Sequence, residues 1–166
     1  MTAVHHVPGD GTALVGPRAV LLLDGVPEVE GLWPLVRDGA DLDALLAALL
    51  EQGLRALGSF ALLHDDRLVL RGTATAEDAA GEALSAGGAA TWAEHPVPGE
   101  VALALQGDAA RAPLLPLVAG VVRAARVAVG TAGTVPPAVE DRAPVPVAVP
   151  DPAPPAPVPA QPVTAG

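Results

Sequence analysis

Cysteine is absent from this 166-residue chain, which excludes disulfides, thiolate metal sites and a cysteine nucleophile. Asparagine, lysine, isoleucine and tyrosine are missing too, so all nine basic residues are arginine. Without asparagine there is no N-glycosylation acceptor. Without lysine there is no Gly-Lys-Ser or Gly-Lys-Thr, hence no P-loop. Serine occurs only at Ser59 and Ser85. Gly58-Ser59-Phe60-Ala61 lacks the second glycine of a nucleophile elbow, so Ser59 reads as the first residue of a strand. Positive charge is scarce: the net charge is −10. A duplex nucleic acid needs clustered cations, so no nucleic-acid partner is expected, and the same balance disfavours anionic membrane surfaces. Long apolar runs are also lacking. The most apolar, Ala112 to Val122, is short and holds Pro113 and Pro116, so no membrane insertion is expected. The start, MTAVHHVPGDG, has no basic region followed by an apolar one. No signal peptide is therefore read there, and a cytoplasmic location is expected.

What is abundant is alanine, glycine, proline and valine, a bias suited to a GC-rich bacterial genome. The chain divides by composition. Residues 1–130 read as one small domain. Residues 131–166 read as a Pro/Ala/Val-rich disordered linker or tail, since 11 of the 19 prolines lie between Pro136 and Pro162. Proline removes backbone donors and favours extended polyproline II.

Within the domain the centre is Ser59 to Gly72, SFALLHDDRLVLRG. A two-residue turn at Asp65-Asp66 sets His64 opposite Arg67, Leu63 opposite Leu68, Leu62 opposite Val69, Ala61 opposite Leu70 and Phe60 opposite Arg71. One face is then Ala61, Leu63, Leu68 and Leu70, purely apolar. The other carries Phe60, Leu62 and Val69 and turns polar toward the hairpin's end. The strongest helix is Asp41 to Gln52, where Leu42, Leu45, Leu46, Leu49 and Leu50 form one stripe and Gly53 fits a left-handed C-cap. An earlier helix begins near Pro27, with Val29, Leu32, Trp33 and Val36 at helical spacing. Pro34 predicts a kink or two short pieces, and Trp33 is expected in the core. Val4–Val7 is expected as an edge strand stopped by Pro8-Gly9-Asp10-Gly11. Thr12–Val15 and Ala19–Leu23 flank a turn at Gly16-Pro17-Arg18, and AVLLL reads as a buried central strand. Thr73–Ala76 is expected to extend the hairpin. Glu77–Gly88 is expected to be a mobile loop or weak strand. Thr91–His95 and Val101–Leu105 read as strands. For residues 114–129 helix and strand stay open. The fold class that follows is α+β: a small, mostly antiparallel sheet with two short helices packed on one face, then a disordered tail.

The chemistry-bearing residues are few. His5, His6, His95 and Glu94 are the only conceivable metal set, and adjacent histidines on a strand point to opposite faces. They read as ordinary surface histidines, with no metal site and no cofactor expected. Asp65 and Asp66 imitate paired catalytic carboxylates but read as turn residues; no catalytic residue is assigned. Trp92, with Glu94 and His95 just ahead of a Pro-Gly turn, is the candidate contact anchor.

The pieces GPRAVLLLDG, WPLVRDGADLDALLAALLEQGLRALGSFALLHDDRLVLRGTAT, TWAEH and LPLVAGVVRA together resemble the N-terminal region of actinobacterial forkhead-associated (FHA) domain proteins. That resemblance implies a small domain of unassigned role, a Pro/Ala-rich linker and then a phosphothreonine-binding FHA domain. This chain holds no Asn and no Ser-x-x-His, so phosphopeptide binding carries over to no residue here. The expected function is a non-catalytic interaction or accessory module of a bacterial regulatory or signalling protein, tethered by a Pro-rich linker and contacting a protein partner. The alternative is a small ligand-binding domain or enzyme using the Trp92–His95 neighbourhood.

Overall fold

A computed structural model describes residues 2–25, 29–51, 53, 57–105 and 113–131. The Pro-rich tail from 132 onward, Pro27 at the start of the first expected helix and Gln52 at the end of the second lie outside the described residues. The order of elements is β1 (Thr2–Val15), β2 (Ala19–Leu23), α1 (Val29–Asp38), α2 (Leu42–Glu51), β3 (Phe60–His64), β4 (Arg67–Arg71), β5 (Thr75–Asp78), β6 (Ala83–Ser85), β7 (Ala93–Pro96), β8 (Val101–Ala104), β9 (Leu115–Leu117) and β10 (Gly120–Thr131). Every strand pairing is antiparallel. The strands join in the order β6-β5-β8-β10-β1-β2-β3-β4-β7, with β9 on the free side of β1. The α+β reading, a mostly antiparallel sheet with two short helices, is therefore the observed architecture.

The β3–β4 hairpin has the expected register, from His64 opposite Arg67 to Phe60 opposite Arg71. Asp65 takes the turn's left-handed position, φ 52°, which a short polar side chain tolerates. Both hairpin faces are buried, and they belong to different cores. Ala61, Leu63, Leu68 and Leu70 join Val20, Leu22, Ala76, Leu103 and Val127 in one cluster. That cluster unites β5 and β8 at one end of the sheet with β4 at the other, so the sheet must curl around it like an incompletely laddered barrel. Phe60, Leu62 and Val69 face outward beside Leu21 of β2, and Leu32, Val36, Leu45 and Leu49 of the helices cover them. The helix layer thus lies on the outside of the β1–β4 half.

Several expectations are corrected. β1 is not an edge strand stopped at Pro8. It runs through to Val15 between β10 and β2, and Pro8–Asp10 form a bulge: Val7 pairs Arg126, while the next pair is Gly11 with Ala124. A bulge lets a strand bend without ending. α1 is one helix with Pro34 inside it. Pro34 is exposed, so the missing donor falls on the solvent side, where water can satisfy the carbonyl. Trp33 is half-buried at the edge of the outer core rather than within it. Only Leu42, Leu45 and Leu49 of the leucine stripe are buried; Leu46 and Leu50 are half-buried rim residues. Asp41 is the N-cap of α2, accepting from Ala44 N–H at 2.9 Å. Gly53, φ 83°, caps the other end and donates to Leu50 C=O at 2.8 Å. Thr73–Ala76 does not extend β4. Gly72 and Thr73 turn the chain away, and β5 joins β8 instead. The Glu77–Gly88 stretch is a hairpin of β5 and β6. Its turn is organised by Asp78 Oδ1, which accepts from Ala80 N–H and Glu82 N–H at 2.9 and 2.8 Å. The undecided stretch 114–129 is strand throughout its regular parts, β9 and β10.

Two terminal or free-sided strands carry proline. Val97 N–H donates to Asp66 C=O at 2.7 Å. By alternation, Glu94 and Pro96 of β7 turn their main-chain groups to the open side. Pro96 therefore removes a donor from that edge. Pro116 does the same for β9, because a proline in a paired strand directs its missing N–H away from the partner.

Candidate functional site

Trp92, Glu94 and His95 surround β7, but they do not form one site. Glu94 is opposite Val69 and His95 opposite Leu68. Val69 belongs to the outer core and Leu68 to the inner one, so neighbouring Glu94 and His95 are directed to opposite faces. On the outer face Trp92 packs against the helix-side core. Its indole N–H points at Glu94 Oε1 at 3.4 Å, and Arg67 Nη2 donates to Glu94 Oε2. On the other face His95 Nε2–H donates to Ser85 C=O at 3.1 Å, which ties β7 to β6. The anticipated trio resolves into a half-buried tryptophan braced by an ion pair and a histidine that bridges two strands.

His64, 6% exposed, is the other ordered histidine near charge. Its Nε2–H donates to Ala40 C=O at 3.0 Å, pinning the α1–α2 connection to the hairpin. Arg18 grips Asp65 through two bonds, at 3.3 and 2.5 Å. The hydrogen bond from Arg18, more than its bare charge, holds the Asp65 carboxyl below its ordinary range. Asp65 is thus held in the turn by its Arg18 ion pair. His5 and His6 lie side by side on β1, where alternation separates their side chains. No group of three metal-ligating side chains occurs among the described residues.

A shallow cleft of about 310 Å³ lies at the far end of the β3–β4 hairpin, lined by Leu57, Ser59, Arg71, Gly72 and Ala90 among others. Arg71 there donates to the backbone carbonyls of Leu57, Ala90 and Thr91. It works as a staple between the hairpin and the 89–91 loop. Ser59 Oγ accepts from Thr73 N–H and bonds Thr73 Oγ1, both at 3.0 Å, so its hydroxyl is occupied in closing a turn.

Comparison with family models, curated proteins and solved structures returns no match. The surface itself is then the remaining guide.

One part of that surface is aliphatic. Leu115 (41% exposed), Val118 (95%) and Val121 (42%) are the exposed large aliphatics of the described chain. They fall in and next to the β9–β10 connection, with exposed Pro113 and Pro116 in the same stretch of chain. The signal was present as the run LLPLVAGVV, but a run that reads equally as buried helix gives no hint of exposure. No helix among the described residues is long and apolar enough to cross a membrane.

Proposed function

We propose that this protein is a non-catalytic interaction module of a bacterial regulatory protein, cytoplasmic in setting, with the Pro-rich segment as its tether. The observation that carries the reading is the aliphatic tip of Leu115, Val118 and Val121. Their exposure opposes the hydrophobic effect, and three exposed aliphatics within seven residues of chain support a surface that meets a partner. The partner is a protein, because the net charge of −10 repels nucleic acid and anionic lipid alike. The Trp92–Glu94–Arg67 group supplies a second contact point, with an aromatic anchor and a polar rim. The setting suggested by the resemblance, an accessory module beside an FHA domain, is compatible with this reading.

Dispersal of the polar side chains supports the non-catalytic reading over an enzyme at Trp92–His95. General acid–base or nucleophilic chemistry needs groups within hydrogen-bond reach of one reacting atom, and Glu94 and His95 face apart. The test is a photo-crosslinking residue at position 118, compared with one at Asp43 on exposed α2, in an extract of a native host. A protein captured at 118 alone, competed by unlabelled wild type and not by Val118→Asp, is the expected result. Equal labelling at both positions, or competition by Val118→Asp, overturns the reading.

A further inference from the structure

We propose that β6 is a displaceable strap, and that its displacement offers the edge of β5 to an extended segment of the protein partner. This rests on the interaction-module reading and names the kind of partner segment. β6 is three residues long, Ala83–Ser85, and among the described residues ladders only to β5. On its other side lies β7, and no ladder joins the two among the described residues. That seam is bridged by His95 Nε2–H donating to Ser85 C=O. It is packed beneath by Ala86 and Val97. Glycines in the left-handed region bound the strap on both sides, Gly81 (φ 80°) before it and Gly87 and Gly88 (φ 60° and 79°) after it. Short residues at element ends are where hinge rotation is absorbed. Beyond the second hinge, Arg71 fastens the carbonyls of Ala90 and Thr91, so movement ends there. Across the first, Asp78 Oδ1 accepts from Glu82 N–H as well as Ala80 N–H, so displacing the strap releases the Glu82 contacts and the movement starts from Asp78.

What the strap covers is an edge unlike the others. Asp78 N–H donates to Glu82 C=O at 3.1 Å, so by alternation Ala76 and Asp78 direct their main-chain groups at β6. β5, Thr-Ala-Glu-Asp, has no proline, whereas β7 and β9 are blunted by Pro96 and Pro116. Strand addition requires an edge with alternating donors and acceptors, and β5 has one once β6 leaves. The replacing segment needs an apolar side chain where Leu84 packs inward opposite Ala76, flanked by residues that tolerate solvent.

The test uses native-state hydrogen exchange on the full chain, then a probe peptide of residues 80–88 added in trans. His95→Ala is expected to speed exchange at Ala76 and Leu84 about three- to tenfold, the loss of one neutral hydrogen bond. Leu22 and Leu62 amides should not change. His95→Gln, whose amide can donate to the same carbonyl, is expected to restore the wild-type rate. The peptide is expected to shift Ala76 and Asp78 resonances saturably, and at lower concentration in the His95→Ala protein. Unchanged exchange, uniform acceleration across all amides, or a peptide that leaves β5 untouched overturns the proposal. These readouts need no natural partner, so they can fail while crosslinking at position 118 succeeds, and the reverse.

Discussion

Gly16→Ala is the sharpest single test of how the helix layer is seated on the sheet. Gly16 lies in the β1–β2 turn, where a Cβ would come within 2.1 Å of Val36 O and 2.8 Å of Val36 C. These are backbone atoms of α1, so no rotamer change relieves the contact. Val36 O also accepts from Gly39 N–H at 3.3 Å, beside Ala40 N–H donating to Leu35 C=O at 2.9 Å. Those two bonds are the paired C-terminal closure of a helix. Forced displacement costs about 1–3 kcal/mol, and weakening one closing bond adds about 1 kcal/mol. Against this, alanine stiffens the unfolded chain and returns about 0.4–1 kcal/mol. The net is a loss of about 1–3.5 kcal/mol, large against a total near 5–15 kcal/mol. It corresponds to a Tm fall of about 4–15 °C for a folded part of this size. Gly58→Ala is the control, since its nearest neighbour would be Asp24 Cβ at 3.8 Å. Urea unfolding followed by tryptophan fluorescence suits the comparison, because Trp33 is on α1. If Gly16→Ala unfolds at the same urea midpoint as Gly58→Ala, α1 does not sit against the turn as described.

Phe60→Ala removes a fully buried ring from beneath the helices and is expected to cost about 3–5 kcal/mol in urea unfolding; Leu50→Ala, at the rim, should cost under half as much. The Asp65 carboxyl is depressed in the folded state by Arg18, so its contribution is present above the unfolded carboxylate range and disappears as pH falls through the lower folded value. The pair is about half exposed on both sides and screened accordingly, so Arg18→Gln should change stability little at pH 7 but flatten the acid limb of a Tm-against-pH curve. A variant with the same acid limb as wild type would refute the pairing. Val118→Asp removes exposed aliphatic surface without touching the core; its Tm should stay within about 2 °C of wild type while it fails to compete for crosslinking at position 118.

Local chemistry made the hairpin and α2 readable. Two aspartates between alternating apolar runs fix a turn, and once the turn is placed the period of two fixes every pair from His64–Arg67 to Phe60–Arg71. The leucine spacing and Gly53 did the same for α2. Non-local pairing was not readable in the same way. Pro8-Gly9-Asp10-Gly11 carries every local sign of a chain reversal, yet β1 continues because β10 runs alongside it, from Val4–Val129 to Val15–Gly120. Gly9 is there for closeness: a Cβ would meet Ala125 Cβ at 2.3 Å. The 114–129 stretch stayed ambiguous because alternation is hidden when inner and outer residues are both apolar, as with Val122 packed inward and Val121 exposed. At the candidate site, Trp92, Glu94 and His95 were adjacent in sequence but are parted by the pleat, and the aliphatic tip was invisible because exposure belongs to the fold.

The placement of proline connects stability to recognition. A curled sheet that is not laddered all the way round leaves strand edges, and an open edge invites pairing with any extended chain. Pro96 and Pro116 remove donors at the middle or end of β7 and β9, where a flat edge would otherwise persist. The same logic predicts what happens when they are replaced. Pro116→Thr keeps a β-compatible side chain and restores an N–H to the open side of β9, beside the exposed aliphatics of the tip. The monomer should lose little stability, since Pro116 is exposed and contributes no core contact. Its association should rise, because the restored donor is then flanked along the chain by exposed Leu115 and Val118. Sedimentation at increasing concentration reads this directly: a monomer at every concentration for Pro116→Thr would mean that proline is not what guards this edge.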